Sequence, residues 1–215
     1  GGETALIVDV NGGLPAVPGI PQEIVDEGKA PRIGLIKPVA DRESIGTSWK
    51  RINTSMEGLL KTISEMGELD IPMQKPMSSE KDDLQTWFFT TIPFQSDDFV
   101  LSVSIDEKSF YASTSKSFVQ EISAGLADAK PDPARTGGHM TFDFNVLRSY
   151  LANWIEMADK HAAALVGDDP DAIAQVRGML PMAREALAAF EDLDTVKAHT
   201  RLESGKLRGS LHFKV

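Results

Sequence analysis

"VKAHTRLESGKLRGSLHFKV" (residues 196–215) closes the chain, and its alternation decides the fold. Val196, Ala198, Thr200 and Leu202 alternate with Lys197, His199, Arg201 and Glu203. After Ser204-Gly205, Leu207, Gly209, Leu211, Phe213 and Val215 alternate with Lys206, Arg208, Ser210, His212 and Lys214. Period-two runs on either side of a two-residue turn predict a β-hairpin with one apolar and one polar face. That turn pairs 197 with 212 and 199 with 210, and it sets Arg201 opposite Arg208, a pairing of like charges.

Outward from the hairpin, other elements follow. "TALIVDV" and "PRIGLIKPV" predict strands, and "DLQTWFFTTIP", "FVLSVSID" and "SFYASTS" predict a meander. In its middle strand Phe99, Leu101, Val103 and Ile105 are expected on a buried face, opposite Val100, Ser102 and Ser104. Thr54 and Glu57 have capping-box spacing, with Gly67 placed as a C-cap, so a helix is expected between them. A second helix is expected over about 116–128, with Phe118, Val119, Ile122 and Leu126 on one side. "HMTFDFN" predicts a strand. A long helix follows it, carrying Leu147, Leu151, Trp154, Ala158 and Leu165 to "VGDDP", and Asn145 is its expected N-cap. Pro170 fits the first turn of the next helix, within which Pro181 is expected to kink or divide the segment. Residues 14–31, 67–83 and 128–138 read as connections.

The expected class is α+β: an antiparallel sheet of meanders with helices packed on one face, as a single unit or as two similar halves. Val8-Asp9-Val10-Asn11 set beside Phe142-Asp143-Phe144-Asn145 suggests that strand, helix and meander occur twice, over 3–128 and 138–215.

Composition excludes several functions. There are 32 acidic against 22 basic side chains, a net charge of −10, which repels nucleic acid and anionic lipid at long range. Cysteine is absent, excluding disulfides, thiolate zinc sites and cysteine nucleophiles. No run reaches the roughly 18 apolar residues of a membrane span. The chain opens on Gly1-Gly2 without an initiator Met, from which a trimmed upstream segment and export are expected.

Gly12-Gly13 resembles a phosphate loop, but "LPAVPGIP" follows where a helix would have to begin, so Asp9 and Asn11 read as strand-end turn residues. The histidines at 139, 161, 199 and 212 lack metal-ligand spacing, "GDDPD" lacks the ligand pattern of a calcium loop, and "STSK" lacks the partners of a serine nucleophile. Neither a cofactor nor a metal is expected. What remains is the polar face of the hairpin. Lys197, His199, Arg201, Lys206, Arg208, His212 and Lys214 are opposed there only by Glu203, in an otherwise acidic chain. Two readings stay open: a docking surface for an anionic partner such as a polysaccharide or lipid headgroup, or a solvated face balanced by acids from elsewhere.

"MTFDFNVLRSYL" (140–151), "KLRGSLHFKV" (206–215) and "FYASTSKSFVQEI" (110–122) resemble segments of uncharacterised exported bacterial proteins of the kind common in Planctomycetes and Verrucomicrobia. The resemblance implies an α+β protein of the cell envelope and carries no catalytic residues over. The expected function is therefore a non-enzymatic binding or interaction module of the bacterial cell envelope, in the periplasm or at the cell surface. A protein, glycan or small ligand is the expected partner, and homo-oligomers remain open. The alternatives are a hydrolase or transferase with dispersed carboxylates, and a carrier of a small apolar ligand.

Overall fold

The computed structural model describes residues 4–39, 41, 43, 45–48, 51, 54, 55, 58, 76–88, 96–127, 129 and 137–215. They form strands β1 (Ala5–Gly13), β2 (Lys29–Pro38), β3 (Met77–Lys81), β4 (Leu84–Phe88), β5 (Ser102–Ile105), β6 (Ser109–Ser113), β7 (Gly138–Asp143), β8 (Thr195–Glu203) and β9 (Lys206–Lys214). The helices are α1 (Gln22–Glu27), α2 (Lys116–Ala127), α3 (Phe144–Lys160), α4 (Ala162–Val166) and α5 (Pro170–Ala188), with further helical residues at 43, 45–48, 51, 54, 55 and 58. The class is α+β with antiparallel sheet. The chain divides into two compact units, one of Gly1–Val17 and Pro31–Ala127, the other of Pro18–Ala30 and Asp128–Val215. Their sheets differ, with six strands in the order β1-β2-β6-β5-β4-β3 in the first and three in the order β7-β8-β9 in the second.

In the first unit, α2 covers one sheet face through Phe118, Val119 and Ile122, which pack with Ile36, Leu84 and Tyr111. The residues beneath it are small. Gly34 pairs with Ser113, Thr86 with Ser104, and Ser102 lies in the same layer. A Cβ on Gly34 would lie 2.6 Å from Ile122 Cδ1, so this glycine sets how closely helix and sheet approach. The burial expected for residues 99–105 is overturned in part: Ile105 is buried as expected and Val103 is half-buried. Val100, Ser102 and Ser104 are buried, whereas Phe99 and Leu101 are 44% and 52% exposed. The serines are satisfied in place: Ser104 Oγ donates to Thr86 Oγ1 at 2.8 Å and Ser102 Oγ to the Val100 carbonyl at 2.9 Å. Alternation located the two faces, but it ranked them by apolarity, where close helix packing selects for small size.

Three further corrections belong to this unit. Residues 77–81, taken as connection, form β3, joined to β4 by Asp82 and Asp83, both at positive φ (50° and 63°). "MSSEK" has little apolar alternation because β3 lies at the sheet edge. Helical residues appear already at 43 and 45–48, upstream of Thr54, which is itself helical and so is no N-cap; Glu57 and Gly67 lie outside the described residues. Ser115, one of the hydroxyls of "STSK", accepts from the Phe118 N–H at 3.1 Å and so caps α2.

In the second unit β7, β8 and β9 pair antiparallel, and the hairpin register is the expected one: Lys197 opposite His212, His199 opposite Ser210, Arg201 opposite Arg208. Ser204 (φ 50°) and Gly205 (φ 77°) are both left-handed, as a type I′ turn requires. Gly137, at φ 88°, leads into β7 so closely that a Cβ would meet the Thr200 carbonyl oxygen at 2.1 Å. The cap of α3 is Asp143, whose side chain accepts from the Asn145 and Val146 N–H groups, so Asn145 is displaced from the capping role expected of it. Asp169 caps α5 and Pro170 stands in its first turn, while Pro181 sits inside a helix that remains undivided. Among the described residues no helix is long and apolar enough to cross a membrane.

Candidate functional site

The β7–β8–β9 sheet gathers the expected cationic residues on one face. Alternation places Lys197, His199 and Arg201 of β8 beside Lys206, Arg208, His212 and Lys214 of β9. Lys197, Arg201 and the four β9 residues are exposed, and His199 is half-buried. β7 adds His139, which the sequence reading left aside. It lies opposite His199, and the two imidazoles stack with centroids 4.3 Å apart and planes within 14°. "HMTFDF" carried the signal, since a period-two strand puts His139, Thr141 and Asp143 on one face once β7 pairs with β8.

The face has relief. His199, Arg201, Arg208, Gly209 and Ser210 line an open depression of about 360 Å³. Gly209, opposite Thr200, also lines it. Two guanidiniums directly opposed across antiparallel strands present converging donors that an oxyanion can bridge. Lys214 sits apart from them, its ammonium 3.0 Å from Asp194 Oδ2. Hydrogen bonds from Lys214 and Asn145 hold the Asp194 carboxyl below its ordinary range. The face thus brings His199, Arg201 and Arg208 together, sets Lys197 and His212 one row away, and commits Lys214 to a local ion pair.

A second charged constellation, in the first unit, escaped the sequence reading. Arg32 of β2 points to the face that α2 covers, and its side chain is 7% exposed. It donates to Asp9 at 2.8 Å, to Asp98 at 3.2 Å and in bidentate fashion to Glu121 at 2.9 Å for each bond. The guanidinium lies 4.8 Å from the centroid of the Phe118 ring. Gly13 N–H and Ser117 Oγ also donate to Asp98, and Asn11 donates twice to Asp9. Asp9 therefore lies within β1 as an anchor for Arg32, where a strand-end turn had been expected, and Gly12-Gly13 continue the strand where a phosphate loop would turn. Burial works to raise the pKa of Asp9, but hydrogen bonds from Asn11 and Arg32 outweigh it and leave the group low. Burial likewise opposes ionisation of Asp98, and is outweighed by Ser117, Gly13 and Arg32. The available signal was a lone cation at a core-facing position of Arg32-x-Gly34-x-Ile36.

The alternatives leave their own traces. An open groove of about 560 Å³ between α3 and α5 is lined by Arg148, Glu156, Arg184 and Glu191 among others. Its arginines are engaged: Arg184 with Asp159 at 2.6 Å, and Arg148 with the carbonyls of Phe190 and Leu193 in the segment that follows α5. Among the described residues the carboxylates displaced from their ordinary pKa, Asp9, Glu27, Asp98 and Asp194, move downward, opposite to the direction that would make a general acid. In the first unit a cavity of about 130 Å³ lies among Ile45, Trp87, Val103, Ile105 and Phe110. It is small beside the roughly 300–1,000 Å³ typical of ligand pockets.

Comparison with known protein families, curated proteins and solved structures gave no match.

Proposed function

We propose that the chain is a non-enzymatic binding module of the bacterial cell envelope, exported to the periplasm or cell surface, and that it takes an anionic partner on the polar face of β7–β9. One observation carries the reading: Arg201 and Arg208, directly opposed, line the same depression as His199. Guanidinium donors presented from two neighbouring strands suit the planar, bidentate geometry of an oxyanion.

Setting adds to this. Five cations and one acid lie between Thr195 and Val215 of a chain that is otherwise strongly acidic, so the potential is concentrated at this face. The place in the envelope rests on the resemblance of residues 110–122, 140–151 and 206–215 to exported proteins.

Calorimetric titration with dextran sulfate at low salt tests the reading. Binding is expected, weakening as salt rises because counterions are released from the polyanion. Arg201→Gln/Arg208→Gln should reduce affinity about tenfold or more, since charge-assisted pairs are the stronger hydrogen bonds. Arg208→Glu should abolish binding while setting opposite charges across the strand pair, so the hairpin stays intact. Titration curves unmoved by these substitutions would sink the proposal.

A further inference from the structure

We infer that two copies of this chain pair through the apolar face of the β7–β8–β9 sheet, stacked face to face about a two-fold axis. The pairing stands apart from the anion-binding reading, since the cations lie on the opposite face.

Period-two alternation sorts these three strands completely. Their charged residues and histidines all fall at the positions of the polar face. The other face presents Met140 and Phe142 of β7, Leu202 of β8, and Leu207, Leu211 and Phe213 of β9. These six are between 42% and 76% exposed. Val196, between Phe142 and Phe213, is covered, but the large side chains around it stay open along the length of the hairpin. At the roughly 200 Å² that a large apolar side chain offers when bare, the six leave about 700 Å² uncovered, near the ~800 Å² that each partner gives to a stable interface. That area exceeds the roughly 300–600 Å² of the largest apolar patch on an ordinary monomer.

Composition points to a second copy as the occupant. Interfaces with transient partners are only about as apolar as the rest of a protein surface, whereas homodimer interfaces are richer in apolar area. A face without charge gives a charged partner nothing to pair with. It also gives its own image nothing to repel, which matters in a chain of net charge −10.

The relief of the face is self-complementary. Gly138, Thr200 and Gly209 stand in one row across the three strands. They make a shallow trough between the Leu202–Leu207 row and the row of Met140, Ala198 and Leu211. A two-fold axis beside the trough seats the partner's Met140 and Leu211 in it, and symmetry returns the same contact on the other side. The same operation lays Leu202 and Leu207 against the partner's Phe142 and Phe213. Ridge meets trough, as in sheets stacked about 10 Å apart in a sandwich.

Sedimentation equilibrium of the chain measures the pairing. Interfaces of this size have affinities from micromolar to picomolar, so a species of twice the chain mass is expected at about 10 μM. It should persist as salt rises, because screening weakens repulsion between acidic chains and leaves apolar contact intact. Gly209→Phe fills the trough and should leave the chain monomeric at that concentration. The monomer tolerates this change: a Cβ on Gly209 meets the His199 carbonyl oxygen and Thr200 Cγ2 at 3.6 Å, an ordinary contact, and phenylalanine suits a strand better than glycine. Leu202→Ser is the second variant. Each dimer loses two leucines by it, so association should weaken about hundredfold, while the exposed position spares the fold of the monomer. A monomer up to about 100 μM, where a micromolar pair would have formed, overturns the inference and leaves the face to another occupant. A dimer that both variants leave intact overturns it as well, by placing the contact elsewhere. Neither result touches the dextran sulfate titration, which reads the opposite face.

Discussion

The two sheets hold arginine in opposite ways. In the first unit Arg32 lies beneath α2 with every side of its guanidinium engaged, by Asp9, Asp98, Glu121 and the ring of Phe118. In the second, Arg201 and Arg208 stand opposed on an open face, and the apolar residues behind them are bare at the tip. A buried ion must be paired or it costs several kcal/mol, so the Arg32 partners come from β1, the segment before β5 and α2, and tie those segments together. An exposed cation carries no such obligation. The contrast teaches that charge buried in this protein ties its segments together, while charge on the β7–β9 face lies at the surface, where the proposed partner would meet it.

The comparison breaks first, if it breaks, at Arg32. Arg32→Met should leave three carboxylates without their cation and destabilise the protein by about 3 kcal/mol. That is the lower end of the usual range for a broken buried pair, because Glu121 stays half exposed. Urea denaturation of the variant measures it, and a loss below about 1 kcal/mol, the worth of a surface ion pair, would place Arg32 with the surface arginines.

Acid sharpens the same contrast. Asp9 and Asp98 have folded pKa values below the ordinary 3.8, so the stability they confer is complete above that value and fades as pH falls through it and below. Denaturation midpoints should drop as pH is lowered beneath about 4. In Arg32→Met the drop should be shallower, since the cation that favours the ionised carboxylates is gone. Parallel pH profiles for the two proteins would show that the network contributes nothing to acid sensitivity.

The smallest effect belongs to the hairpin. Ser204 adopts a left-handed conformation that costs most residues about 1 kcal/mol and that Asn tolerates better. Ser204→Asn should therefore stabilise the second unit by about 0.5 kcal/mol, read as a small rise in thermal midpoint, with dextran sulfate binding unchanged. A fall in midpoint would contradict the type I′ assignment.

What the sequence disclosed follows the range of the forces involved. The hairpin was legible to the register, because alternation and a two-residue turn are local. The caps were nearly so: Pro170 was placed in the first turn of its helix, and Asp143 was missed by two residues in favour of Asn145. Arg32 was not legible, since its partners lie 23, 66 and 89 residues away and no local pattern records that they meet. Burial of Ser102 and Ser104 was hidden for a related reason. Hydropathy alone favours Leu101 and Val103, and only the closeness of α2 at Gly34 explains why small hydroxyls face the helix. His139 needed one further step, the pairing of β7 with β8, before it joined the candidate face.

β9 occupies an edge of its sheet, and a cation recurs on it at Lys206, Arg208 and Lys214. Two such edges brought side by side would crowd cation against cation, so the strand resists being extended by a second copy and guards against fibrous aggregation. That guard is electrostatic, and whatever neutralises the face also lifts it. Exposed charges are screened by salt, so the guard weakens as ionic strength rises.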